Sequence, residues 1–93
     1  MITSPTAIQG LGQIFVNVTD IDRAVAFYRD VLALPLLMRF PGIAFFDCGG
    51  VRLYLGSAEK PEVAHTSILY FRVGDIVAAH EAMAARGASF VHP

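Results

Sequence analysis

A segment that occurs twice is the feature that most constrains the fold of this chain. The two copies, residues 18–28 and 73–83, start 55 positions apart and share four identities in eleven positions. In each copy an alternating run passes into Asp-Ile and then into a helical pattern, at Asp20 and again at Asp75. The change from a period of 2 to a period of 3.6 falls at the same point in both. We therefore predict that one structural unit is duplicated.

The first unit, residues 11–57, is predicted to fold as β-α-β-β-β. Its first strand leads to Asp20, whose carboxylate suits the N-cap of a helix. Apolar residues then recur at helical spacing up to Leu34, and Pro35 favours an end to the helix there. The predicted strands are 12–18, 36–40, 43–48 and 51–56, with turns at Pro41-Gly42 and Gly49-Gly50.

The second unit, residues 66–93, repeats only the β-α-β part of this order. We predict a strand over 66–73, a helix over 76–86 that is capped by Asp75, and a strand over 88–91. Gly87 suits a left-handed residue at the end of the helix. Residues 1–10 are predicted to be a mobile lead-in and 58–65 a connecting loop. By analogy with the first unit, two further strands are expected beyond residue 93.

Composition excludes several classes of protein. The 93 residues are 55% hydrophobic, but they contain no apolar run of the roughly 20 residues that cross a bilayer. The N-terminus lacks the pattern of a signal peptide, so we expect a cytoplasmic location. A net charge of −1 gives no reason to expect nucleic acid. One cysteine, Cys48, excludes an intrachain disulfide, and the three histidines fit no zinc motif. We expect these histidines at the surface.

The run over residues 12–32, with its spacing Asp-Ile…Ala…Phe-Tyr…Leu, resembles the opening of vicinal oxygen chelate proteins. That superfamily includes glyoxalase I, bleomycin-resistance and fosfomycin-resistance proteins, and extradiol dioxygenases. Residues 45–53 look like its third and fourth strands, and 70–76 look like the start of its second module. The resemblance implies an α+β fold of paired βαβββ modules, in which a cup-shaped mixed sheet holds a small molecule and carries its helices outside.

Strand alternation then predicts which side chains face the cup. Ile14, Val16 and Val18 would face the first helix, and the alternate positions would face the ligand. The predicted ligand-binding residues are Gln13, Phe15, Asn17, Arg52 and Tyr54 from the first unit and Ile68, Tyr70 and Arg72 from the second.

The resemblance also implies where a divalent metal would be held. The family's first ligand lies seven residues before the capping aspartate, which here is Gln13, and its counterpart in the second unit is Ile68. A third position falls at Tyr54, and a fourth lies beyond residue 93. Glutamine and tyrosine are poor or uncommon ligands, and isoleucine cannot ligate. We therefore expect no tightly held metal, with Gln13 as a weak candidate ligand.

Three functions remain open at this point. The first is a protein that binds a small aromatic or anionic molecule without a tight metal. The second is a lyase, isomerase or dioxygenase that uses a divalent metal, and the sequence does not decide whether the chain is an enzyme. The third is a non-catalytic domain that dimerises through its incomplete second sheet. In each case we expect a homodimer, in which the modules are exchanged between subunits if the sheet is closed that way.

Overall fold

The computed structural model describes residues 5–57 and 68–90, which form a four-stranded mixed sheet with two helices. The predicted α+β class and the complete β-α-β-β-β order of the first unit are confirmed. The elements are β1 (Gln13–Val18), α1 (Ile21–Ala26), a π-helical turn (Phe27–Val31), β2 (Leu36–Phe40), β3 (Ile43–Cys48), β4 (Val51–Ser57) and α2 (Ile76–Ala85).

The strands are arranged in the order β1-β4-β3-β2. β2, β3 and β4 form the predicted antiparallel meander, and β1 runs parallel to β4 with α1 in the connection between β1 and β2. Gly49 and Gly50 join β3 to β4 with φ angles of 59° and 91°. These left-handed angles are what a two-residue hairpin turn requires, and glycine adopts them without strain. The meander leaves β1 and β2 as the two edges of the sheet.

The core lies between α1 and one face of the sheet. Its buried residues are Val16, Val25, Ala44, Phe46, Leu53 and Leu55. Burial of a large apolar side chain contributes roughly 1.5–3 kcal/mol, so Phe46, Leu53 and Leu55 hold the meander against α1. Ile14 and Val18 pack against the same cluster, so the predicted direction of alternate side chains in β1 is confirmed.

The first helix is shorter than the sequence predicts. Asp20 caps it as expected, because its carboxylate accepts a hydrogen bond from the Arg23 amide at 3.1 Å. Regular α-helix ends at Ala26, however, and a π turn follows in which the Leu32 amide donates to the Phe27 carbonyl at 3.0 Å. The extra residue in a π turn rotates later positions by roughly 100° about the axis, which a sequence spacing of 3.6 does not reveal.

The second unit is only partly formed among the described residues. Asp75 caps α2 as predicted, accepting from the Val77 and Ala78 amides at 3.0 and 3.1 Å. The predicted strands are wrong where the structure tests them, because residues 68–73 and 88–90 adopt no strand. In the first unit β1 pairs with β4, and the described part of the second unit contains no counterpart of β4. A strand without a hydrogen-bonding partner is not stable by itself.

Leu69 and Arg86 connect this second segment to the first unit. Leu69 packs on the core, and the Arg86 Nε donates to the Val31 carbonyl at 2.8 Å.

Some predicted elements lie outside the described residues. They are the loop over 58–65, residues 1–4 of the lead-in and residue 91 at the end of the strand predicted over 88–91. Within the described ranges, no helix has the length and apolar character to cross a membrane.

Candidate functional site

The sheet face opposite α1 carries the first-unit residues that the sequence points to. We call it the open face. Side chains alternate along each strand, so the residues opposite the core share this face. Its members are Gln13, Phe15, Asn17, Met38, Phe40, Ile43, Phe45, Asp47, Arg52, Tyr54 and Gly56.

The strand register arranges the open face in three rows across the sheet. Gln13, Arg52 and Asp47 form a polar row at one end. Phe15, Tyr54 and Phe45 form a central aromatic row, and Met38 extends it onto β2. Asn17, Gly56 and Ile43 form the third row, which ends at Phe40.

The aromatic row is a continuous set of ring contacts. Phe15 meets Tyr54 edge-on, with ring centroids 4.8 Å apart and an interplanar angle of 85°. Tyr54 in turn lies 4.6 Å from the Phe45 ring. The Phe15 residue remains 49% exposed, so part of this row is accessible to a molecule in solvent. Such a surface suits a flat apolar or aromatic group.

The polar row places one cation beside these rings. The Arg52 Nε donates to the Gln13 Oε1 at 2.8 Å. The guanidinium carbon of Arg52 lies 5.2 Å from the centroid of the Phe45 ring, a cation–π distance. Asp47 is the register partner of Arg52, but its Oδ1 accepts from the Gly50 amide in the adjoining turn at 3.1 Å.

Phe45 is the functional candidate that sequence reasoning missed. Once Ala44 and Phe46 are placed in the core, the alternation of β3 puts Phe45 on the open face. The alternation of side chains that places Phe45 was therefore present in the sequence. Because Phe45 and Phe46 are both phenylalanine, hydrophobicity alone did not show which of them faces the core.

The predicted residues of the second segment are not brought to the open face. Ile68 is 77% exposed. Tyr70 and Arg72 line a different cleft of about 680 Å³ at the junction between the two segments. The other residues lining this cleft are Leu32, Leu34, Cys48, Gly49, Val51, Phe71, Val73 and Met83.

The remaining candidates are three histidines and Cys48, of which the structure describes His80 and Cys48. His80 is half-buried and stacks on Phe90 with ring centroids 4.0 Å apart, so its predicted surface position is only partly correct. Cys48 is half-buried, as expected for its position at the turn. His65 and His92 lie outside the described residues.

The groups whose acidity is shifted lie away from the open face. Burial raises the pKa of Tyr28, which packs against Phe46. The hydrogen bond between Arg29 and Asp30 raises the pKa of Arg29 and lowers the pKa of Asp30. A separate ion pair joins Arg39 to Asp22 on the helix side of the sheet. These groups supply no acid or base to the aromatic row.

The donor atoms around Gln13 do not suit a divalent metal. The ligating atom of a glutamine is its Oε1, and here that atom accepts from a guanidinium. A second cation beside Arg52 would be repelled, by roughly 2 kcal/mol for a divalent ion about 4 Å away in water. Across residues 5–57 and 68–90, no three His, Cys, Asp or Glu side chains lie close enough together to hold a metal ion.

Comparison with known proteins defines the class that this fold and face indicate. A profile of the Glyoxalase/Bleomycin resistance protein/Dioxygenase superfamily matches residues 10–93. The chain belongs to this superfamily.

Individual members of known function or structure are also similar to this chain. A metallothiol transferase FosB from Staphylococcus haemolyticus is 32% identical over 63 residues, which are 68% of this chain and 44% of the relative. The chain thus matches less than half the length of this curated relative. A glyoxalase/bleomycin resistance protein/dioxygenase from Nocardioides superposes with a TM-score of 0.72 at 25% identity, over 95% of this chain and 68% of the other.

A third similar protein is known with a small molecule bound. It is a bleomycin-binding protein from bleomycin-producing Streptomyces verticillus, whose structure contains copper(II)-bleomycin. It superposes with a TM-score of 0.71 at 25% identity, over 86% of this chain and 66% of the other.

Proposed function

We propose that this chain binds a small aromatic or anionic molecule on the open face of its sheet. The observation that carries the proposal is the accessible ring row of Phe15, Tyr54 and Phe45 with the Arg52 cation at its side. Apolar surface with a few placed polar groups is the usual composition of a small-molecule site. The similarity to a bleomycin-binding protein supports the same class of function.

Binding in this proposal needs no tightly held metal. The contact between Arg52 and Gln13 occupies the Oε1 of Gln13, which is the first of the implied ligand atoms. The specificity then rests on ring contacts and on the charge of Arg52, with Asn17 as a further polar group in the third row.

The second candidate is a metal-dependent enzyme, favoured by the similarity to a metallothiol transferase. It requires that a divalent ion displace Arg52 from Gln13. Stoichiometric metal in the purified full chain, retained after dialysis and lost with the substitution Gln13→Ala, would support the enzyme and contradict the metal-free proposal.

We also propose that a second copy of the chain completes the site. β1 is an edge strand, and no described residue pairs with its outer side. A strand formed by residues 68–73 of a partner would satisfy this edge and carry Ile68, Tyr70 and Arg72 to the same site. The exposed apolar residues of the open face and of this segment favour such burial.

Titration with indole tests the proposed site, since indole is a neutral, flat aromatic probe. We expect changes of NMR chemical shift in β1, β3 and β4, and Phe15→Ala and Tyr54→Ala should each weaken binding about 3- to 10-fold through lost ring contacts. Phe27→Ala is the matched control, because Phe27 is 42% exposed on the helix side. Shifts confined to the cleft around Tyr70 and Phe71, or equal effects of all three variants, would contradict the proposal.

A further inference from the structure

We propose that Arg52 is a prepositioned anion anchor and that the ligand class is the aromatic carboxylates. The inference rests on the proposed function and adds the charge and shape of the ligand. In this proposal the cation beside Gln13 is the guanidinium of Arg52 and not a metal ion from solution.

The first step is the fixed orientation of the guanidinium. Arginine carries only donors, so the Gln13 side chain must turn its Oε1 toward the Arg52 Nε, as the structure shows at 2.8 Å. Among the described residues, no protein acceptor receives a bond from either Nη of Arg52. With respect to the described residues, the two Nη groups therefore remain as a parallel pair of donors, which matches the two oxygens of a carboxylate.

The second step is the availability of the charge. Asp47 is the acidic residue nearest to Arg52 in the register of the open face. Its Oδ1 is bound to the Gly50 amide, and the ion pairs among the described residues join Arg29 to Asp30 and Arg39 to Asp22. Among residues 5–57 and 68–90, no carboxylate is thus bound to Arg52 to neutralise its charge.

The third step is the ring surface beside the charge. The guanidinium lies over Phe45 at 5.2 Å, which limits its motion, and Tyr54 and Phe15 continue from Phe45 across the sheet. Neighbouring rows on one face of a strand are about 7 Å apart. A benzoate-sized molecule spans this distance, with its carboxylate on the Nη pair and its ring on the aromatic row.

Calorimetric titration of the full 93-residue chain with benzoate, benzyl alcohol and inorganic phosphate tests the inference. We expect benzoate to bind about 10- to 100-fold more tightly than benzyl alcohol, because the anion gains charge-assisted hydrogen bonds. Phosphate should bind more weakly than benzoate, since it has no ring. Arg52→Gln should abolish this preference, so that benzoate and benzyl alcohol bind with similar affinity, whereas Arg29→Gln, the matched control on the helix side, should preserve it.

Substitutions at Gln13 separate positioning from charge. Gln13→Ala should weaken benzoate binding about 3- to 10-fold by freeing the guanidinium, and Gln13→Glu should weaken it further by neutralising Arg52. Arg52→Lys keeps the charge but not the paired donors, so an intermediate loss is expected. Circular dichroism of each variant verifies that it folds.

The outcomes distinguish the two proposals. Equal binding of benzoate and benzyl alcohol, unaltered by Arg52→Gln, would overturn the anchor while leaving the aromatic site intact. Binding of none of the probes, including indole, would overturn both. Tighter binding of phosphate than of benzoate would show a general anion site and contradict the aromatic carboxylate as its ligand.

Discussion

At the scale of single residues, Ala33 shows the clearest conflict between side chain and backbone. Its φ is 59°, in the left-handed region that costs an L-residue roughly 1–2 kcal/mol. It follows the π turn, and the amide of Leu34 donates back to the Tyr28 carbonyl at 3.0 Å. The conformation is therefore imposed by the chain reversal that brings β2 to the sheet, not by the preference of alanine.

Replacement of this alanine should stabilise the protein. Ala33→Gly is expected to raise the free energy of unfolding by about 0.5–1 kcal/mol, because relief of the left-handed strain exceeds the added entropy of the unfolded chain. Urea unfolding followed by circular dichroism measures the change. Ala82→Gly in the middle of α2 is the control and should destabilise by about 1 kcal/mol. A loss of stability in Ala33→Gly would contradict the strain.

At the scale of elements, the pairing of β1 with β4 determines how the ring row is presented. Gly56 lies opposite Asn17 in the register and is buried. A methyl group on Gly56 would lie 2.9 Å from Phe15 Cε1 and 3.0 Å from its Cζ. The absence of a side chain at Gly56 therefore allows the Phe15 ring to lie over β4, where it meets Tyr54.

A double-mutant cycle measures this coupling. Gly56→Ala should destabilise by about 1–3 kcal/mol because its methyl group displaces the Phe15 ring, and it should also weaken indole binding. In the Phe15→Ala background the same substitution should cost less, which gives a coupling energy of about 0.5–3 kcal/mol. Gly12→Ala, where an added methyl group meets nothing within 4 Å, is the control. Additive effects of Gly56→Ala and Phe15→Ala would rule out the contact.

The sequence predicts elements well where the information is local. The helix caps at Asp20 and Asp75, the turns and the facing of β1 follow from local geometry and from alternation. The contact of Gln13 with Arg52 depends instead on the parallel register of β1 with β4, across 39 residues of chain. Alternation gives the face of each residue but not its neighbour on the next strand, so this pair was not predictable.

The same distinction explains the failure at residues 68–73. Their alternation is typical of a strand, and the pattern is as regular as that of β1. Strand formation, however, depends on a partner edge, which is a property of the assembled sheet and not of the segment. In the described structure β1 is paired with β4, whereas no described strand pairs with this segment.

At the scale of the whole molecule, an edge of β1 and a segment, 68–73, that both lack a strand partner among the described residues together predict a dimer. Ile68 and Tyr70 are 77% and 93% exposed, and the pairing proposed above would bury both against the partner. Burial of a large apolar side chain contributes roughly 1.5–3 kcal/mol, so Ile68→Lys should weaken association at least about tenfold. Sedimentation equilibrium over a concentration series measures the dissociation constant.

Ile8→Lys is the control, because Ile8 is almost fully exposed outside the pairing segment. A chain that sediments as a monomer at every concentration would contradict the dimer, and equal weakening by both lysine variants would place its interface elsewhere.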